Sequence, residues 1–427
     1  MKQFGFLVAF FATVFAYGQF NVKVSASADF APKEAYFYTV NGSKDVLVSK
    51  VVKNANAWTL KYPNHYVGMM KAYFPEINFT LNFISENKDV SMSLSPAKGR
   101  LPQVVYEDAP NQGMSQILNY QRKVESILPA LLQMQAFYTS SEPFYKAINS
   151  EIITLSKGKP DVSNFPFVNY YSENYDRYVD ESPQEGKADA SQIIQFFVNS
   201  NELLETSTLM RPVLVNYLNL FDAKGAEKAI DDLLAALDVE SPRGQTVLSE
   251  VIDIFGAYNM LEMKETFLAK AKNLKCTLNE RLSSTLEINQ NTAIGAVMED
   301  YKFNSPTHTS AKSIHDVKAK RKVIVFWSST CQHCETDLPK FIPYYKKFQE
   351  NNFEIIGLSL DTEDKAYQSR ASSYPWVNDT ELRGWYSSFA EKYNVSATPT
   401  YFVLDENNKI IGKPDYALDV VKFLGLN

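Results

Sequence analysis

The stretch FWSSTCQHCETDLP, Phe326–Pro339, sets two cysteines three residues apart, with a histidine beside the second, directly after an apolar run. That run, Val323–Trp327, and a second, Phe353–Leu360, are continuously apolar, as strands buried on both faces are. Between them Leu338, Phe341, Ile342, Tyr345 and Phe348 recur at helical spacing. Strand, helix and strand in this order predict a right-handed parallel crossover, with Cys331 at the N-terminus of the helix. Unpaired backbone N–H groups and the helix dipole favour negative charge there, which lowers a thiol's pKa. A thiol of pKa about 8.5 is only ~3% thiolate at pH 7, whereas one at about 7 is half ionised, and the thiolate is the attacking species. Cys334, one turn further in and more buried, is then placed to resolve a mixed disulfide.

Cys331, His333 and Cys334 also have the donor types of a zinc site, with His308 or His315 as a fourth ligand. Structural zinc sites usually draw on a second closely spaced pair, and the chain has none. His308, His315 and His65 read more simply as surface or loop residues. The remaining cysteine, Cys276 in KNLKCTLNE, reads as a buried reduced thiol on a helical stretch, with a third redox partner as the alternative.

At 427 residues the chain exceeds one ordinary domain of ~100–200 residues, so two or three folded units are expected. A hydrophobic content of 45%, with 13% aromatics, argues against general disorder, and a formal charge of −6 gives no reason to expect nucleic acid. The N-terminus, MKQFGFLVAFFATVFAYGQF, has a basic Lys2, an apolar run from Phe4 to Phe15, and small residues at Ala16 and Gly18 that suit cleavage before Gln19. It reads as a signal peptide over residues 1–18; the alternative, an uncleaved anchor, needs ~20 apolar residues. No later stretch is apolar enough to span a bilayer, so the expected location is the periplasm or cell envelope. An exported chain with only three cysteines is not disulfide-stapled, so the close pair does not read as a structural bridge.

From residue 19 to 105 apolar and polar residues alternate, as in INFTLNF (Ile77, Phe79, Leu81, Phe83), VSMSLS (Val90, Met92, Leu94) and NAWTLKY (Trp58, Leu60, Tyr62). With an Asn41-Gly42 turn, these predict a β-rich domain, an antiparallel sheet or sandwich. From 106 to 290 the period becomes helical in SQILNYQRKVESILPALLQMQAF, EKAIDDLLAALDV and TVLSEVIDIFGAYNML, predicting a mostly α region. Within it, the Pro-, Asn-, Ser- and Tyr-rich stretch from Ser156 to Ala190 reads as irregular, its Tyr170, Tyr171, Tyr175 and Tyr178 packed or forming a binding surface. Residues 291–427 form the third region, closing with a hairpin in TYFVLDENNKIIGKP and an amphipathic helix from about Tyr416 to Leu424.

This last region resembles a thioredoxin-like α/β domain of the envelope TlpA/ResA-like branch. The resemblance rests on FWSSTCQHC, on CETDLP with Pro339 five residues after the second cysteine, on IIGLSLD and on YNVSATPTYFVLD. It implies that Pro399 is cis, faces the cysteines and leaves the preceding backbone open to a substrate strand. Thioredoxins proper carry a buried acid six residues before the first cysteine, where this chain has Val325. The envelope branch commonly has an acid three residues after the second, which implies Asp337 as acid/base within i+3 reach of Cys334; the alternative is a solvated surface acid. Related oxidases and isomerases often have a histidine at the place of His333 and a threonine at that of Thr398. His333 would favour the thiolate and so raise the potential, in a family whose span from about −270 to about −180 mV corresponds to ~4 kcal/mol. The TlpA/ResA-like branch itself leans towards reductase.

The function implied is an exported thiol-disulfide oxidoreductase, reductase or isomerase-like, in which Cys331 attacks, Cys334 resolves, Thr398 and Pro399 orient the substrate and Trp327 shields the site. No separate cofactor or metal is implied, because the dithiol is the redox group. The expected partners are protein thiols or disulfides and a redox donor protein. The competing expectation is an envelope binding or assembly protein whose N-terminal region holds partners and whose thioredoxin-like domain is a docking module.

Overall fold

The structure, a computed structural model, describes residues 19–27, 30–96, 101–180 and 188–426. The signal-peptide expectation for residues 1–18 falls outside the described residues. The alternating segments form strands β1 (Phe20–Ala26), β2 (Glu34–Asn41), β3 (Lys44–Val52), β4 (Ala57–Tyr62), β5 (Val67–Phe74), β6 (Phe79–Glu86), β7 (Val90–Ser95) and β8 (Gln103–Tyr106). They make two four-stranded sheets, ordered β4-β1-β7-β8 and β3-β2-β5-β6. Period two works here as a burial pattern: Val22, Val24, Trp58, Leu60, Val90, Met92 and Leu94 are all buried, with more exposed neighbours between them.

Three details differ from the sequence expectation. β1 is antiparallel to β4 but parallel to β7, a distinction that alternation cannot encode because both pairings bury every second residue. Ile77 ends a 3-10 turn, Pro75–Ile77, and is exposed, so β6 starts only at Phe79. The β2–β3 turn sits one residue later than expected, since Asn41 pairs with Lys44 and leaves Gly42-Ser43 as a two-residue loop. Gly42 takes the positive φ, +66°, that the first loop position of a type II′ hairpin needs.

The helical segments begin on side-chain caps, as expected of Asp and Ser at these places. Asp108 caps Ala109–Gln135, Asp222 caps Ala223–Leu237 and Ser241 caps Pro242–Ala257, each accepting from the N–H three residues on. The Tyr-rich stretch is not wholly irregular: it contains the helix Pro166–Tyr178, with proline at its first position. Phe167, Val168 and Tyr171 are buried, and the polar Asn and Ser between the tyrosines mask that face in the sequence.

Spatial grouping does not follow chain order. Residues up to Ser27, Asn54–Gly68 and Phe83–Asn169 form one unit; Ala28–Lys53, Met69–Asn82 and Tyr170–Asn427 form another. In the second unit, the β2–β3 turn is tied to the helices by Glu250, a fully buried carboxylate on Pro242–Ala257. Glu250 accepts from Ser43 N at 2.8 Å and Ser43 Oγ at 2.6 Å, and pairs with Arg211 and Arg281, both at 3.0 Å. Tyr386 of the C-terminal region is stacked on Tyr38 of β2 at 4.6 Å and tilted on Tyr73 of β5 at 4.4 Å. Gly384 has φ +58° there, and any Cβ on it would come within 2.6 Å of the Tyr73 hydroxyl.

The C-terminal sheet comprises β9 (Arg321–Trp327), β10 (Phe353–Ser359), β11 (Val377–Thr380), β12 (Thr400–Leu404) and β13 (Ile410–Gly412), ordered β11-β10-β9-β12-β13. β9, β10 and β11 are parallel, while β12 runs antiparallel to β9 and β13. β9 is apolar from Val323 to Trp327 because each face has its own core: Val323, Val325 and Trp327 enter one, Ile324 and Phe326 the other. The crossover is present, but its helix is broken into Gln332–Asp337, a 3-10 segment Leu338–Tyr344 holding Pro339 and Pro343, and Tyr345–Glu350. The tighter pitch keeps Leu338, Phe341, Tyr345 and Phe348 buried and turns Ile342 outward to 46% exposure, against the expectation of one continuous face.

Candidate active site

The turn leading into the cysteine pair is held from below. Asp361, just past β10 and nearly buried, accepts from Ser328 Oγ at 3.0 Å, from Ser329 N at 3.0 Å to each oxygen, and from Ser329 Oγ at 2.7 Å. Ser359 Oγ donates to the same carboxylate. The backbone then enters the helix Gln332–Asp337 with Cys331 as its N-cap, and Cys331 Sγ accepts from Cys334 N–H at 3.2 Å. On its other side Cys331 Sγ donates to Thr398 O, also at 3.2 Å. The Thr398–Pro399 peptide is cis, and β12 starts at the next residue.

The two thiols, both free, have opposite surroundings. Cys331 is half-buried; burial disfavours its thiolate, but contacts from Cys334 and Thr398 and the N–H groups of Cys334 and His333 outweigh it and hold the thiol below its ordinary pKa. Cys334 is 1% exposed, and burial, followed by the adjoining Cys331 sulfur, pushes its pKa strongly up. Trp327 closes the floor from the end of β9, fully buried and edge-on to Tyr374 at 5.4 Å.

His333 is exposed on the first turn of the helix. It acts on Cys331 through its backbone N–H, which every residue but proline supplies. His333→Ala is therefore expected to leave the Cys331 alkylation rate at pH 7 nearly unchanged. His333→Pro, tolerated in a first turn but lacking the donor, should lower that rate roughly threefold. Iodoacetamide kinetics against pH checks both, and an alanine effect as large as that of proline would return the role to the imidazole.

Asp337 is not turned back towards Cys334. It is buried, with Oδ1 taking Lys340 Nζ at 2.9 Å and Oδ2 taking Tyr401 O–H at 2.7 Å and Ala417 N–H at 2.9 Å. Burial works against its charge, but these donors hold its carboxyl below the ordinary range. It is thus neither a solvated surface acid nor a hydrogen-bond partner of the thiol. Tyr401, the hydroxyl donor to Asp337, pairs with Val325 where β12 meets β9. Two residues that the sequence reading quoted within motifs but gave no role therefore build the site: Asp361, the acid that ends IIGLSLD, and Tyr401, whose place is visible only once strand register is known.

Among the described residues no group of three or more His, Cys, Asp or Glu is placed to hold a metal ion. His315 Nε2 is instead 2.7 Å from Met298 O. Cys276 is neither helical nor fully buried: it lies in the connection before the helix Glu280–Asn291, half-exposed, with Sγ accepting from Gln245 Nε2 at 3.3 Å.

A strand, a capping cysteine, a buried second cysteine and a cis-proline facing them fit one fold, and residues 294–413 match the AhpC/TSA family. The C-terminal region is a thioredoxin-like domain. Thiol-disulfide oxidoreductase ResA of Bacillus cereus is 30% identical over 106 residues, 23% of this chain and 57% of that protein. The Bacillus subtilis protein of the same name is 28% identical over 109 residues, 24% of this chain and 58% of its own. The chain thus spans little more than half the length of these curated relatives. Among solved structures, the thioredoxin domain of a thiol-disulfide oxidoreductase from Bacteroides vulgatus is 23% identical, with 31% of this chain and 97% of that one covered and a TM-score of 0.28. A thioredoxin-like protein from Bacteroides caccae is 17% identical, with 59% and 98% covered and a TM-score of 0.36. The thioredoxin-like domain brings Cys331, Cys334, Thr398, Pro399 and Trp327 to one place, with His333 exposed beside them and Asp337 hydrogen-bonded to Tyr401.

Proposed function

We propose that this chain is a thiol-disulfide oxidoreductase, reductase or isomerase-like, that works on the disulfides of client proteins in the cell envelope. The observation that carries this is the unequal setting of one cysteine pair: a half-exposed Cys331 that caps the helix and takes the Cys334 N–H, against a buried Cys334, an arrangement that favours the thiolate at the first sulfur and disfavours it at the second. Such a pair attacks through one sulfur and keeps the other in reserve. The Cys331 thiolate attacks a client disulfide, one client sulfur leaves as a thiolate and takes a proton, and a mixed disulfide forms. Cys334 then displaces the second client sulfur, so that two electrons pass to the client and the pair ends as a disulfide, which a redox donor protein returns to the dithiol.

In this reading Thr398 and Pro399 orient the client backbone, Trp327 keeps water from the floor of the site, and Asp337 acts on Cys334 only through Tyr401. The dithiol is the redox group, with no separate cofactor. The envelope location rests on the apolar N-terminal run, and among the described residues no helix is long and apolar enough to cross a membrane. Cys334→Ser is the direct test: it should accumulate clients as dithiothreitol-sensitive adducts on Cys331, identified by mass spectrometry. Equal adduct formation by the Cys331→Ser/Cys334→Ser double variant, or none at all, would remove the reading.

A further inference from the structure

Resting on the exchange reading above, we propose that Trp385 is a client-contact residue, and that the clients it selects carry a large apolar or aromatic side chain a few residues from the reacting cysteine. The chain has four tryptophans; Trp58, Trp327 and Trp376 are fully buried, whereas Trp385 is 43% exposed. Among the described residues its indole makes no ring contact and its Nε1 no hydrogen bond. The 3-10 turn that carries it, Gly384–Tyr386, is nonetheless fixed on both sides. Gly384 is buried with φ +58°, and Tyr386 is stacked on Tyr38 and tilted on Tyr73. Ser387 Oγ donates to Gly384 O at 2.7 Å, and Glu381 accepts from both the N–H and the hydroxyl of Ser388. An unengaged indole on a fixed backbone is preorganised for a partner, because docking it orders only two side-chain torsions.

Strand register puts this turn at the reactive end of the sheet. Trp327, Ser359 and Thr380, the last residues of the parallel strands β9, β10 and β11, lie level with one another, so the loops that follow them leave from one end. Neighbouring loops are joined there: Asp361 holds Ser328 and Ser329, and a Cβ on Gly384 would come within 3.0 Å of Thr362 Cγ2. Trp385 thus stands about two strand spacings, ~10 Å, from the loop that bears Cys331. An extended segment disulfide-bonded to Cys331 covers ~3.4 Å per residue and turns alternate side chains to one face, so the fourth residue from its cysteine comes within reach of the indole. Tyr416, past β13 on the opposite side of β9, is the other exposed aromatic among these loops. Neither residue next to it is aromatic, so its turn has no clasp like that of Tyr386.

The chemistry of the indole sets the class of client. It offers a flat apolar face that pairs with aromatic rings in offset-stacked or edge-on geometry, and tryptophan is among the side chains most enriched where binding energy concentrates. A finished fold buries most of its large apolar side chains. Trp385 therefore favours disulfides in extended, exposed segments, as in an incompletely folded chain, over those of a folded client.

Two peptides and the Cys334→Ser protein test this. Each peptide has one cysteine, joined to thionitrobenzoate, with either phenylalanine or alanine at the fourth residue on both sides. Cys331 attacks the peptide sulfur, thionitrobenzoate leaves with the bonding pair, and its absorbance gives the rate; the Cys331→Ser/Cys334→Ser protein is the blank for Cys276. At subsaturating concentration the phenylalanine peptide should react about fivefold faster, and Trp385→Ala should bring that ratio to about one. Taking the ratio within one protein cancels any general loss of reactivity. In the adduct with the phenylalanine peptide, iodide quenching of tryptophan fluorescence should fall to near that of Trp385→Ala, because Trp385 is the one tryptophan open to iodide in the free protein. Equal rates for the two peptides, or a preference that survives Trp385→Ala, would overturn the inference and leave the exchange reading in place. Unchanged quenching in the adduct would overturn it equally, and this arm keeps the native tryptophan, so it holds even if Trp385→Ala does not fold. A rate no higher than the blank for both peptides would overturn the exchange reading and this inference together.

Discussion

Cys331→Ser is expected to lower the single-turnover reduction of a model protein disulfide by about a thousandfold or more at pH 7. Serine is no nucleophile towards sulfur at this pH, and the remaining thiol cannot take over. Cys334 is 1% exposed, and its pKa is pushed up by burial and by its neighbour, so its thiolate is scarce where the Cys331 thiolate is common. The pH profile carries the sign. Cys331 is an acid whose pKa lies below the ordinary thiol value, so the wild-type rate should be complete above that depressed pKa and fall as pH drops through it. A free cysteine, by contrast, should still be gaining rate at about pH 8.5. A Cys331→Ser protein of near wild-type rate, or a wild-type rate still rising through that range, would contradict the assignment of Cys331 as the attacking sulfur.

What could be read without coordinates follows from which interactions are local. Helix-capping by Cys331 and the two-faced burial of β9 are properties of a short window, and FWSSTCQHC displays both. Pro399 and Thr398 lie more than sixty residues away and were placed by resemblance; the 3.2 Å contact from Cys331 to Thr398 O is what joins them to the pair. Asp337 shows the limit. Spacing put it on the right helix, but its direction depends on Tyr401, Ala417 and Lys340, two of which come from distant segments. The β2–β3 hairpin was legible as a hairpin, whereas its attachment to Glu250, some two hundred residues later, was not.

That attachment yields the other large effect. Glu250→Ala should destabilise the unit containing it by about 3–5 kcal/mol, the usual cost of removing one partner from a buried ion pair. For a unit of this size that is a fall in melting temperature of roughly 10 °C. The loss has several parts. Arg281, almost fully buried, keeps Asp253 but loses its second carboxylate, Arg211 loses its 3.0 Å partner, and the Ser43 N–H and hydroxyl lose their acceptor. Burial alone would raise the Glu250 pKa, but Arg281, Arg211 and Ser43 more than compensate and hold it below the ordinary value. Its contribution is therefore complete above the unfolded carboxyl pKa of about 4.3 and is lost as pH falls through the lower folded value. Hydrogen exchange localises the effect: the Ser43 amide should exchange much faster in Glu250→Ala. Glu250→Gln, which keeps an acceptor for Ser43 but leaves the arginines short of a charge, should protect that amide while still lowering the melting temperature. Equal protection of Ser43 in wild type and Glu250→Ala would mean that the hairpin is held by its strand pairing and the Tyr386 contacts instead.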